Sequence, residues 1–108
     1  MARAEGAVRK LSFADGKALL DAEPACVLLD VREEEEYITG HAVGAVLLPV
    51  DELNAQTAAE AIESPDTPVL VYCRSGIRSH AAAQKLAALG YTRIYDLGSL
   101  IGWPYGLE

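Results

Sequence analysis

Short apolar runs alternate with polar, turn-rich stretches along the chain, and the runs are of two kinds. Some are continuous and β-branched, while others are spaced so that one face of a helix is apolar. Val8 to Leu11 predicts a short strand. Ser12, with Asp15 three positions on, resembles a helix start, and Ala18, Leu19, Leu20 and Ala22 supply the apolar face that follows. Pro24 breaks that helix, and Ala25 to Asp30 is apolar throughout until its final acid, as a strand buried on both faces reads. Glu33 to Tyr37 predicts one or two helical turns, with acids near the positive end. Gly40 to Gly44 reads as loop, and Ala45 to Leu48 as a short strand before Pro49. Asp51 is positioned to cap a helix running to about Ile62. After the loop Ser64 to Pro68, Val69 to Tyr72 predicts the central strand. Arg78 to Leu89 predicts a helix stopped by Gly90, and Arg93 to Asp96 a last strand before a short terminal segment around Trp103.

Strands alternating with helices at this spacing predict an α/β fold of three layers. Its central, mainly parallel sheet has about five short strands and helices on both faces. At 108 residues the chain is read as one domain, 1–108, without internal repeat or low-complexity segment. In such folds ligands bind beyond the carboxyl ends of the strands. Asp30 and Cys73 both stand at such ends, so residues distant in sequence are expected to share one site.

Composition narrows the partners. Half the residues are apolar and 23% are charged, and the formal net charge is −7. Nucleic acid and anionic membranes are poor partners for that balance, because phosphate binding needs clustered Lys and Arg. No run approaches the ~20 apolar residues of a membrane span. Met1 to Lys10 has no apolar core of signal-peptide length, so a cytoplasmic setting with both Cys26 and Cys73 reduced is expected. The terminal pair Leu107-Glu108 is given no weight.

The chemistry concentrates in Val69-Leu-Val-Tyr-Cys-Arg-Ser-Gly-Ile-Arg-Ser79. A cysteine at the tip of a buried strand is followed by a short loop with glycine and two arginines, and then by a helix. Converging backbone N–H groups, a helix N-terminus and nearby cations together stabilise a sulfur anion. Most lone cysteines are buried packing residues. Position, flanking cations and Gly76 set Cys73 apart from that majority. Cys26, inside an apolar run, reads as core. Arg74 and Arg78 bracket the nucleophile; Arg78 opens a helix against the dipole preference, which favours contact with an anionic substrate. Ser75 is positioned either to donate to the sulfur or to shape the turn. His41, between two glycines, reads as a backbone brace rather than a base, and His80 as exposed. Glu33 to Glu36 reads as a solvated face. No spacing of cysteine and histidine fits a metal, and no cofactor is called for.

These segments together resemble a single-domain rhodanese. The likeness runs through Leu28-Leu-Asp-Val-Arg-Glu33, Glu36-Tyr37, Gly40-His41, Gly44-Ala45, the cysteine loop, Leu89-Gly-Tyr91 and Leu97-Gly-Ser-Leu-Ile-Gly-Trp103. It implies a sulfurtransferase in which Cys73 carries a persulfide. It further implies that Arg74, Ser75, Gly76, Ile77 and Arg78 bind the donor, and that Asp30 and Arg32 form the acid–arginine pair supporting the site. The implied partners are a small anionic donor such as thiosulfate and a thiol or cyanide-like acceptor, with a protein acceptor also compatible. One departure is Ser99, where the family often has a second glycine.

Two other functions fit the cysteine loop. A phosphatase or arsenate reductase of related fold has its arginine six positions after the cysteine. Here Arg78 is five on, which contracts the cradle below what a tetrahedral oxyanion fills. A persulfide carrier for a partner protein uses the same intermediate as the enzyme.

Overall fold

The computed structural model describes residues 7–108; residues 1–6, part of the segment bearing on export, lie outside the described residues. Five strands form one all-parallel sheet in the order β1 (Val8–Lys10), β5 (Ile94–Ser99), β4 (Val69–Cys73), β2 (Val27–Asp30) and β3 (Val46–Leu47). Among the described residues the helices are α1 (Phe13–Ala22), α2 (Glu34–Ile38), α3 (Ala55–Ala61) and α4 (Ile77–Ala88). Among the described residues, no helix is long and apolar enough to cross a membrane.

Strand β4 is buried at every position because it lies between β2 and β5 with helices above and below. Side chains of a strand alternate faces. Val69, Val71 and Cys73 accordingly pack with Ala82, Ala83 and Leu86 of α4. Leu70 and Tyr72 pack on the other side with Leu28, Leu97, Leu19 of α1 and Trp103. The alternation extends into β2, where Leu29 joins the first cluster and Leu28 the second. Cys73 and Tyr72 are therefore chain neighbours on opposite faces.

Helix starts follow their caps. Ser12 Oγ accepts the Asp15 N–H at 3.1 Å, as the sequence implies. The expected cap at Asp51 is not found: Val50–Glu52 forms a single 3-10 turn, and α3 is capped three residues later by Asn54. The Asn54 side-chain oxygen accepts N–H groups from Gln56 and Thr57, and Thr57 Oγ1 accepts the Asn54 N–H. The reciprocal box outcompetes Asp51 because Leu53 between them is drawn into the core, 5% exposed.

The last strand runs three residues beyond the expected Asp96. Its register against β4 shifts at Val71/Tyr72, so that Val71 pairs with Asp96 but Tyr72 with Gly98. Leu97 is thus the extra residue of a bulge, and Gly98, at φ +76°, supplies its left-handed backbone. Asp96, 4% exposed, accepts the Gly98 N–H at 2.8 Å and holds the kink. Pairing then resumes with Ser99 beside Cys73.

Candidate active site

Cys73 ends β4 and is fully buried. The chain then turns through Arg74 and Ser75 to Gly76, whose φ of +95° is a conformation a side chain strains. That turn aims the Gly76 N–H at the sulfur, which accepts it at 2.9 Å. Helix α4 begins at the next residue, one earlier than expected, so its positive end lies against the same region. Ser79 Oγ, buried in the first turn, donates to the Gly76 carbonyl and fixes the junction. On the other side, the Leu100 N–H donates to the Cys73 carbonyl at 2.9 Å. Ser99 Oγ donates to the Arg74 carbonyl at 2.5 Å and accepts the Ile101 N–H at 3.1 Å. The residue that departs from the family pattern therefore clamps the loop to the bulged strand.

Asp30 and Arg32 form the pair expected of them. Asp30 is fully buried at the tip of β2, and its Oδ2 accepts Arg32 Nη2 at 2.6 Å while Oδ1 accepts Arg32 Nε at 2.9 Å and the Arg32 N–H at 3.0 Å. Tyr72, which the sequence offers only as a strand residue, completes the set: its hydroxyl donates to Asp30 Oδ2 at 2.6 Å and accepts the Ala42 N–H at 3.1 Å. Arg32 Nη2 also donates to the Gly40 carbonyl at 2.7 Å. Burial, and next the bond to Asp30, push the Tyr72 phenol well above its usual range. The available signal is general, since a tyrosine in a strand buried on both faces needs a partner for its hydroxyl.

Arg78 differs from expectation. Its guanidinium is engaged by Glu36 of α2, Nη1 to Oε1 at 2.6 Å and Nη2 to Oε2 at 2.9 Å. Glu36 is thus no part of a solvated face, and Arg78 is not an open cation. The Arg78 hydrogen bond brings the Glu36 carboxyl down to about 2, against a smaller opposing effect of burial. Glu36 Oε1 also accepts the Glu33 N–H, closing the capping box of α2. Arg74 is exposed and has no ion-pair partner among the described residues. Ser75 is exposed, and Ile77 stands 76% exposed in the first turn of α4.

A groove of about 300 Å³ borders the loop, lined by Arg32, Arg74, Leu100, Ile101, Trp103 and Leu107 among others. A second cavity of about 320 Å³ lies away from Cys73, around Cys26. Cys26 is half-buried and packs against the second core cluster, and burial pushes its thiol up to about 11. Both cysteines are free. Cys26 precedes Val27, which pairs with Val69, so the two thiols stand at opposite ends of adjacent strands, about 16 Å apart along the sheet. A disulfide needs Cα atoms within about 7 Å.

His41 braces backbone. Its Nδ1 lies 2.9 Å from the Tyr37 carbonyl, its ring stacks on Tyr37 at 3.7 Å, and its own N–H and carbonyl pair with Glu108. Leu107 and Glu108 are thus engaged with the Gly40–Gly44 loop. Among the described residues no cluster of His, Cys, Asp and Glu is arranged to hold a metal ion.

The family model of the rhodanese-like domain matches residues 12–103. This chain belongs to the rhodanese-like family. It is 34% identical over 97 residues to thiosulfate sulfurtransferase GlpE of Tolumonas auensis, covering 89% of this chain and 88% of that one. It is 36% identical over 72 residues to thiosulfate sulfurtransferase PspE of Escherichia coli, covering 67% of this chain and 68% of that protein. A solved rhodanese with anions from E. coli superposes with a TM-score of 0.72 at 31% identity, over 78% of this chain and 98% of that one. The chain spans 53% of the uncharacterized protein YqhL of Bacillus subtilis and 32% of the tRNA uridine(34) hydroxylase of Protochlamydia amoebophila. At family level these rhodanese relatives speak for sulfur transfer, and the hydroxylase carries a matching segment within a protein of another activity.

Proposed function

We propose that this protein, read as one rhodanese domain, moves a sulfane sulfur from an anionic donor to a thiophilic acceptor through a persulfide on Cys73. The observation that carries the reading is the Gly76 N–H directed at Sγ where β4 meets the start of α4. Donors already pointing at the reacting sulfur stabilise negative charge without reorganising during the reaction. With thiosulfate, the Cys73 thiolate attacks the outer sulfur and the donor's S–S bond breaks. Sulfite leaves with the bonding pair, and Cys73 carries the new S–S bond. A thiol or cyanide acceptor then attacks the terminal sulfur, and the electron pair of the second S–S bond returns to Cys73. Two half-reactions through one covalent intermediate give ping-pong kinetics.

Each neighbour has a part in this proposal. Arg74 attracts the donor's oxygens, and the Arg74–Arg78 loop surrounds its outer sulfur. Asp30 holds Arg32 at the groove rather than touching the thiol. Because Cys73 is fully buried, the donor reaches it only when residues 74–77 shift, and Ser99 opposes that shift by holding the Arg74 carbonyl. A free nucleophilic thiol suits a reducing, cytoplasmic setting. The test is mass spectrometry after thiosulfate exposure: one added sulfur on Cys73 and none on Cys26 is expected, and an adduct on Cys26 alone overturns the assignment.

A carrier role has one observation in its favour. Ile77 and Ile101, each 76% exposed, stand on the loop and beside the groove, where a protein acceptor would cover them. Steady-state turnover with small thiols separates the readings: a loaded Cys73 that releases sulfur only to a protein acceptor is a carrier.

A further inference from the structure

The cations around Cys73 are balanced in an uneven way. Arg32 is neutralised by Asp30, and Arg78 by Glu36, in both cases through two-pronged contacts. Only Arg74 remains without a partner among the described residues. Arg78 stands in the first turn of α4, two residues after the Gly76 whose N–H meets the sulfur. The ion pair thus offsets the Arg78 charge at the start of the helix that follows the cysteine loop. Glu36 is not held there by Arg78 alone, since the capping box of α2 fixes the same carboxylate oxygen. The counter-charge is therefore built into the fold. Beside the one cation without an ion-pair partner lies a groove that Arg32, already held by Asp30, shares with the apolar side chains of Leu100, Ile101, Trp103 and Leu107.

The geometry points to Glu36 as the residue that sets donor specificity: by neutralising Arg78, it fits the loop to a singly charged sulfane-sulfur donor with an organic body, rather than to a doubly charged inorganic one. This rests on the sulfur-transfer reading and deepens it. A single anionic charge finds its match in Arg74, and the organic group lies against the groove. A dianion brings a second charge that meets no free cation and feels the Glu36 carboxylate as repulsion. The carboxyl stays ionised throughout the working range, its pKa lying at about 2.

Electrostatics makes the claim quantitative. Interaction energy scales with donor charge, so removing the Glu36 charge shifts binding of a dianion by the square of the factor for a monoanion. For a donor roughly 6 Å away in water-like dielectric the factors are about threefold and about tenfold. The exposed part of the effect is screened by salt.

The experiment measures sulfur transfer to cyanide by wild type and Glu36→Gln with thiosulfate, methanethiosulfonate and benzenethiosulfonate. All three react alike: Cys73 takes the outer sulfur, and sulfite or a sulfinate leaves with the S–S electron pair. In wild type, KM is expected to rise from benzenethiosulfonate to methanethiosulfonate to thiosulfate. In Glu36→Gln, KM for thiosulfate falls about tenfold and that for the two monoanions about threefold, with kcat little changed and the gain reduced by added salt. Glutamine keeps an oxygen for the Glu33 N–H, so α2 retains its start. Equal changes for all donors, or a common fall in kcat, would mean that Glu36 only positions Arg78, and the inference fails. Should the variant not fold, the wild-type order decides: thiosulfate with the lowest KM overturns it. If no donor loads sulfur onto wild-type Cys73, the sulfur-transfer reading itself is wrong, an outcome distinct from any change in donor preference.

Discussion

On the α1 side of the sheet, Asp30, Arg32 and Tyr72 form a closed set in which both charges and the hydroxyl have partners inside the protein. On the α4 side, one residue along the same strand, Cys73 has a single N–H directed at it, and Arg74 and Ile77 next to it face solvent. One region is finished and the other is waiting. The closed set ties β2 and β4 to the Gly40–Ala42 loop and keeps the carboxyl edge of the sheet in shape. The open set leaves the Arg74 cation and the exposed Ile77 for something that arrives, with the sulfur buried beneath the loop. Tyr72 and Cys73 are therefore kept on opposite faces, while Arg32 of the closed set reaches the groove beside Arg74.

The comparison breaks most sharply at Cys73. Cys73→Ser is expected to abolish sulfur transfer while leaving the thermal midpoint within about 2 °C of wild type, whereas Cys26→Ser retains most activity; an assay with cyanide as acceptor reads both. Equal losses would erase the distinction between the thiols. Next comes Asp30→Ala, which strands Arg32 and the Tyr72 hydroxyl in the interior. A loss of about 3–5 kcal/mol in urea unfolding is expected. Tyr72→Phe leaves the buried Ala42 N–H and one Asp30 oxygen short of a partner, at a cost of about 1–3 kcal/mol, with persulfide formation still detectable on Cys73. If Tyr72→Phe stopped persulfide formation in folded protein, the two faces would not be independent.

The smallest expected effect is the pH response of the Glu36–Arg78 pair. The Glu36 carboxyl is lowered from 4.5 to about 2 in the folded protein, chiefly by its hydrogen bond from Arg78. A group lowered on folding contributes stability that is fully present above 4.5 and is lost as pH falls toward 2. The thermal midpoint of Glu36→Gln is therefore expected to lie below wild type at pH 6 and to converge with it between pH 4 and pH 2. A constant gap would show that the pair contributes nothing through ionisation.

Much of this was legible in the chain. An apolar run ending on Cys73, then Gly76 and a helical pattern, is local information, and strand, turn and helix follow it closely. Ser12 reveals its helix for the same reason, because cap and helix are adjacent. Contacts formed across the fold were not legible. Glu36 and Arg78 are 42 residues apart, and each alone looks like an ordinary surface charge. Tyr72 hides within an apolar run, and its partner Asp30 is equally distant. The strand-end bulge was not legible beyond Asp96, because only pairing with β4 turns Gly98 into a kink that lets the strand go on. The cap falls at Asn54 rather than the expected Asp51, and the burial of Leu53 between them is settled only in three dimensions.

The parity of β4 has a consequence for anyone re-engineering this chain. Thiol and phenol occupy consecutive positions and look in opposite directions, so one residue gained or lost between Val69 and Tyr72 would swap them. The phenol would be driven under α4 and the sulfur would land among the charges. Insertions or deletions in that stretch are safe only in pairs, and laboratory recombination should place its crossovers in the Ser64–Pro68 turn instead.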